Sequence, residues 1–220
     1  MLIIIEDRFE GGKWLQRKTI DGKYRWTTSG VLWNNIKERT TEGSTTQRHE
    51  PTYIGSSNNF NSYREFVEWN RKQVGYGIGY DLDADLLRDG AEVYSENTCL
   101  LLPPALNRFL QTSNTKFRKF VELPTGVCYH RDSKTFVYAR MSITNAVGER
   151  ENYNSPRFHI SEIEKAKHYY LTKKNQQLLK WIEVLKQYDK PIDERVITRL
   201  EKMEFYYEEG THTRWRFRSV

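Results

Sequence analysis

The sequence predicts an α+β protein, and three observations carry that reading. Two Ser-x-x-Glu boxes, Ser62 to Glu65 and Ser161 to Glu164, each open a segment with apolar residues at helical spacing. Short runs of period-two alternation flank Gly11-Gly12, Asp21-Gly22 and Asp132-Ser-Lys134, the pattern of strands joined by tight turns. The stretch Tyr80 to Leu102 combines both signals and reads as strand, turn, strand and the approach to a short helix.

Composition narrows the class. At 220 residues the chain holds one large domain or two small ones, enough to bury a core without disulfides. Cys99 and Cys128 match no zinc spacing and read as buried free thiols of a reducing compartment. No apolar run reaches the roughly 18 residues of a membrane span. The opening Leu-Ile-Ile-Ile runs straight into Glu6-Asp7, unlike a signal peptide, so an intracellular protein with no membrane partner is expected. The net charge is +6, and it is unevenly placed. Between Cys99 and Ile160 nine Lys and Arg face four carboxylates, a concentration that suits a polyanion.

In chain order, residues 1–27 form an extension with a strand at Leu2 to Ile5 and another near Trp14 to Ile20. Thr28 or Ser29 caps a helix through Arg39, with Val31, Leu32 and Ile36 as its apolar stripe. Residues 40–59 read as a mobile polar loop broken by Pro51-Thr-Tyr-Ile-Gly55, with His49 an exposed histidine. The helix from Ser62 to about Gln73 places Tyr63, Phe66, Val67 and Asn70 on one face. Gly75, Gly77 and Gly79 lack the strand-then-helix context of a phosphate loop and read as a hinge.

Asp81, Asp83 and Asp85 alternate with Leu82, Ala84 and Leu86, which in an extended strand puts the three carboxylates on one face. Like charges roughly 7 Å apart repel, so solvent, Arg such as Arg88 or Arg108, or a divalent cation must offset them. After Asp89-Gly90, Glu92 to Tyr94 returns beside this strand, and Pro103-Pro104 starts a short helix over Ala105 to Leu110.

The run LDADLLRDGAEVYSENTC, with PTYIG upstream and LPPALNRFL downstream, resembles bacteriophage HNH-endonuclease-like proteins that carry a C-terminal AP2-like DNA-binding domain. The likeness spans about Val31 to Lys202, with the motifs in the family's order. It implies a ββα unit over 28–112 in which Asp83, Asp85, Thr98 and Asn107 stand at or beside the catalytic positions. Mg²⁺ or Mn²⁺ would sit on Asp83 and Asp85 if that site were active. The family's first strand supplies a His beside an Asp, and here Ala84 follows Asp83. The five histidines, His49, His130, His159, His168 and His212, all lie outside this unit's core stretch.

Residues 111–116 are a polar linker, and a second domain over 117–190 follows. Gly126 to His130 and Thr135 to Ser142 form a hairpin, and Arg157 to Ile160 supplies a third strand. Phe136, Tyr138, Arg140 and Ser142 share one face of the second strand, while Val137, Ala139 and Met141 face a helix. A helix follows from the second Ser-x-x-Glu box, with Ile163, Ala166, Tyr170, Leu178, Trp181, Ile182 and Leu185 inward; Lys165, Lys167, Lys173, Lys174 and Lys180 read as solvated. Residues 191–220 hold a last helix, Asp193 to Tyr207, and a basic, aromatic tail suited to stacking on nucleic acid or docking on the first domain.

Leu123-Pro-x-Gly-Val127 and the aromatic-basic strand resemble the AP2-like domain, whose three-stranded antiparallel sheet packs on a helix and enters the major groove. The longer connection from Thr144 to Pro156 departs from the compact AP2 hairpin. The resemblance implies double-stranded DNA as partner, contacted by Arg131, Lys134, Tyr138, Arg140, Arg150 and Arg157. It also implies action in the cytoplasm of an infected bacterial cell. Three functions are compatible: a DNA-binding protein with an eroded nuclease site, an active metal-dependent endonuclease, and a scaffold reused to bind a host protein. Oligomeric state has no signature in the sequence.

Overall fold

The computed structural model describes residues 4–88, 93–111, 123–131, 133–145, 148–208 and 212–218. The chain is α+β, with helices and several small sheets distributed over two compact units. The first unit comprises residues 1–104 with 190–193, and the second comprises 105–189 with 194–220. Among the described residues no helix is long and apolar enough to cross a membrane.

The first unit opens with five short strands, β1 Ile4–Ile5, β2 Arg8–Glu10, β3 Lys13–Leu15, β4 Arg17–Ile20 and β5 Lys23–Thr27. Gly11-Gly12 joins the β2–β3 hairpin and Asp21-Gly22, both at positive φ, the β4–β5 hairpin. The strand expected over Trp14 to Ile20 breaks at Gln16, because its carbonyl turns to accept the Thr27 amide at 3.0 Å. Helix α1, Thr28–Thr40, is capped by Thr27, whose hydroxyl accepts the Gly30 amide at 3.0 Å. The cap therefore lies one residue before the expected Thr28. At Gly30 a side chain would collide with the Gln16 carbonyl, its Cβ only 2.0 Å away, so this helix start requires glycine.

The supposed loop over 40–59 is ordered. It holds α2, Thr45–His49, capped by Ser44, and β6, Ser57–Asn58. Gln47 explains the order: its buried amide donates to the carbonyls of Arg39 at 2.9 Å and Tyr53 at 3.2 Å, tying three segments together. Helix α3, Tyr63–Asn70, starts at Ser62, whose Oγ accepts the Glu65 amide at 3.1 Å. Trp33, Ile36, Phe60, Phe66 and Trp69 form an aromatic core with β7, Asp81–Asp83.

Strand β7 pairs antiparallel with β9, Leu100–Leu102, whereas β8, Val93–Tyr94, pairs parallel with β6. The return strand is thus the wholly buried Leu100–Leu102 segment and not Glu92 to Tyr94, because three consecutive leucines can cover β7 on both faces. The Asp89-Gly90 turn lies outside the described residues.

The second unit begins at Ala105, within α4, Pro104–Leu110, whose Phe109 ring lies 5.5 Å from that of Phe205 and 6.3 Å from Trp181. Apart from Gln111, the expected linker lies outside the described residues. Strand β10, Val127–His130, pairs with the 12-residue β11, Ser133–Thr144, which also pairs with β12, Arg150–Asn154, and β13, Phe158–His159. The third strand is therefore two: β13 covers Phe136-Val137, and β12, which the sequence left as a connection, runs along Arg140 to Thr144.

One face of this antiparallel sheet packs on α5, Ile163–Lys186, through Val127, Val137, Ala139, Met141, Ala166 and Tyr170. The helix is not opened by Ser161, because the His159 ring pairs with that hydroxyl at 2.8 Å and a 3₁₀ turn over Ile160–Glu162 precedes α5. Helix α6 runs over Glu194–Lys202, and Met203–Glu208 is a strand, β14, paired with β15, His212–Phe217. The expected helix to Tyr207 fails because Phe205 and Tyr206 gain cross-strand partners in the tail, Trp215 opposite Phe205 and Arg214 opposite Tyr206. The tail accordingly folds into the second unit as a hairpin strand.

Candidate functional site

Two sites follow from the residues singled out above. In the first unit the three aspartates are not a row. Asp81 and Asp83 lie in β7, but the backbone bends at Ala84 and Asp85, so the alternation stops there. Asp83 is 8 % exposed, and its Oδ1 accepts the amides of Leu86 at 2.9 Å and Asp85 at 3.1 Å. This is the geometry of a turn-closing aspartate. Burial pushes its carboxyl above the ordinary range, and the two amides and the charge of Arg39 oppose that rise. The cation acting on Asp83 thus comes from α1. Arg39 stacks on Tyr53, 4.8 Å from the ring centre, and donates to the Tyr94 hydroxyl at 3.2 Å.

Thr98 is also buried and committed. Its hydroxyl donates to the Val93 carbonyl at 2.5 Å and accepts the Ser95 amide at 3.0 Å, closing the turn before Cys99. The Cys99 thiol next to it is pushed up to about 12 by burial, which leaves it protonated. Asn107 lies on α4 in the second unit. The structure brings Asp83 and Asp85 together through one backbone bond, and Asp83 Oδ1 already accepts two amides. Among the described residues no group of three or more His, Cys, Asp and Glu stands where it could hold a metal ion. These residues do not fit a Mg²⁺ or Mn²⁺ centre.

The second site is the sheet face turned away from α5. Opposite residues of an antiparallel pair share a face, so the pairs Arg140 with Asn154, Ser142 with Asn152 and Thr144 with Arg150 build one polar surface. Arg140, Ser142, Arg150, Asn152 and Asn154 are all exposed on it. Tyr138 and Cys128 continue the surface on the β10 side, and Phe136 meets His159 edge-on at 5.9 Å. Arg150 Nε donates to Ser142 Oγ at 2.9 Å, which fixes that guanidinium along the strand pair.

The opposite face of β12 ties this surface to α5. Glu151 accepts bonds from Tyr153, from Asn145 at 2.8 Å and from Gln177 of α5 at 3.3 Å, and Gln177 also donates to the Tyr153 hydroxyl at 2.5 Å. The Tyr153 hydroxyl and the Asn145 amide hold the Glu151 carboxyl below its ordinary range.

Of the residues assigned to DNA, Tyr138, Arg140 and Arg150 fall on the open face. Arg131 and Lys134 are exposed at the β10–β11 turn, with Lys134 Nζ 5.5 Å from the Tyr129 ring centre, and Arg157 is exposed between β12 and β13. Sequence reasoning missed Asn152 and Asn154. Arg-Glu-Asn-Tyr-Asn carries no polar–apolar alternation, and between Gly148 and Pro156 it reads as a connection. Comparison with models of known families, with curated proteins and with solved structures finds no match for this chain.

Proposed function

We propose that the protein binds double-stranded DNA through the outer face of the β10–β13 sheet, as a bacteriophage DNA-binding protein of HNH/AP2 type whose nuclease site is eroded. The observation that carries the reading is the open face of Arg140, Ser142, Arg150, Asn152 and Asn154 on a sheet backed by α5. The major groove admits a sheet or ribbon, where Arg pairs bidentately with guanine, Asn pairs with adenine, and further cations hold phosphates. The HNH part of the reading rests on the sequence resemblance. Action inside an infected bacterial cell follows from the resemblance alone. The commitment of Asp83 and Thr98 to backbone turns favours the eroded site over an active one.

A gel-shift titration with random-sequence duplexes tests this. Replacing Arg140, Asn152 and Asn154 together by Ala, all exposed positions, should weaken duplex binding about tenfold or more. Unchanged affinity in that variant rejects the surface. Supercoiled plasmid incubated with the protein and Mg²⁺ or Mn²⁺ should remain intact. Nicking that disappears in Asp83→Asn would restore the endonuclease reading.

A further inference from the structure

The N-terminal hairpins present a surface that the duplex reading does not use. In β4–β5 the pairs Arg17 with Trp26 and Thr19 with Tyr24 share one face, and Ile4 of β1, opposite Trp26 in the parallel pair, extends it. A buried sheet face would hide such rings. Here Tyr24 is 68 % exposed and Ile4 is 51 % exposed. The Arg17 guanidinium spreads over both rings, 4.8 Å from the Tyr24 centre and 5.7 Å from that of Trp26. A similar grouping recurs in β2–β3, where Phe9, 54 % exposed, meets Trp14 edge-on at 5.3 Å under the guanidinium of Arg71.

The charge on this segment is mostly positive. Residues 17–27 carry Arg17, Lys18, Lys23 and Arg25 against Asp21 alone, and among the described residues Lys18 is held by an ion pair to Glu10 at 2.5 Å. A platform of aromatic rings under arginine, with Tyr24 exposed and Trp26 partly buried, on a cationic hairpin, is complementary to a polyanion that also offers flat apolar faces. Nucleic acid has both properties. In a duplex the base faces are covered by their neighbours, so an unpaired base is the one that can reach the rings.

We propose that the Arg17–Tyr24–Trp26 face of the N-terminal sheet is a stacking site for single-stranded nucleic acid, separate from the duplex surface of the second unit. The tight Asp21-Gly22 turn, with φ of 50° and 71°, fixes the two strands in register and so presents the rings without a mobile loop.

Fluorescence anisotropy with a labelled oligo-dT of about 12 nucleotides, at low salt, is the test. Wild-type protein should bind. Tyr24→Ala and Arg17→Ala should each raise Kd by at least about fivefold, the effect of losing a stacking ring or its cation, while Tyr24→Phe stays near wild type. Circular dichroism should be unchanged in all three, since Tyr24 and Arg17 are exposed. The Arg140, Asn152 and Asn154 triple variant should bind oligo-dT as wild type does even where it has lost duplex, which separates the two surfaces. The proposal is overturned if wild type does not bind oligo-dT, if folded Tyr24→Ala binds as wild type, or if the triple variant loses single-strand binding.

Discussion

Lys174 shows how a single residue's surroundings outweigh its type. It is 6 % exposed, its ammonium 4.3 Å from the Phe205 ring centre and 5.7 Å from that of Phe109, and burial pulls its pKa down to about 8. The two rings return part of the cost of burying a cation but not all of it. A fall from 10.5 to about 8 corresponds to about 3 kcal/mol against the folded state while the lysine is charged. The sign follows from proton counting. Below about pH 8 both states carry the proton and the penalty is complete; between there and 10.5 the unfolded chain holds more protons, so stability rises with pH. Lys174→Met should therefore stabilise by about 1–3 kcal/mol at pH 7, with the gain shrinking toward pH 10. Urea unfolding of both proteins at the two pH values measures it, and a Met variant less stable than wild type at pH 7 contradicts the account. The sequence reading placed Lys174 among the solvated lysines, and the structure overturns that: four residues after Tyr170 and four before Leu178, it lies on the apolar stripe of α5 and is buried.

At the scale of elements, β11 organises the second unit because its three partners all register on it. Gly126 sets where β10 begins. Its φ is +78°, and a Cβ there would lie 2.2 Å from the buried Tyr170 ring. Gly126→Ala should destabilise the protein by about 3 kcal/mol, combining left-handed strain with a ring that has nowhere to move. Gly148→Ala is the control, with φ of +88° but open space around it, and should cost only about 1 kcal/mol. Thermal unfolding of the two variants separates the terms, and equal costs would remove the Tyr170 contact from the explanation. Local pattern located β11 and α5 well because both are long and strongly periodic. It missed β12, ended α6 late and placed the return strand of the acidic segment wrongly. Those short elements are set by strand partners outside the local pattern, as β7 is by β9 and β14 by the hairpin strand β15 that follows it.

For the whole molecule the net charge of +6 is a statement about partners more than about fold. If about four of the cations on and around the β10–β13 sheet meet phosphates, duplex affinity should fall by about two orders of magnitude between 50 and 200 mM salt. Removing Arg140 should reduce the slope of log Kd against log salt by about one if it meets a phosphate. A salt-independent affinity contradicts an electrostatic interface. Composition and periodicity alone determined the α+β class, the hairpin with one apolar face and one basic-polar face, and the long helix behind it. They could do so because amphipathic spacing records which face is buried. Tertiary structure decided what each candidate residue is free to do. Asp83 and Thr98 carry the residue types of a reactive site, yet their oxygens close backbone turns. Asn152 and Asn154 look like loop residues, yet pairing with β11 sets them beside Arg140. A side chain's availability depends on which backbone groups and strands reach it in space, and neighbours in sequence do not record that.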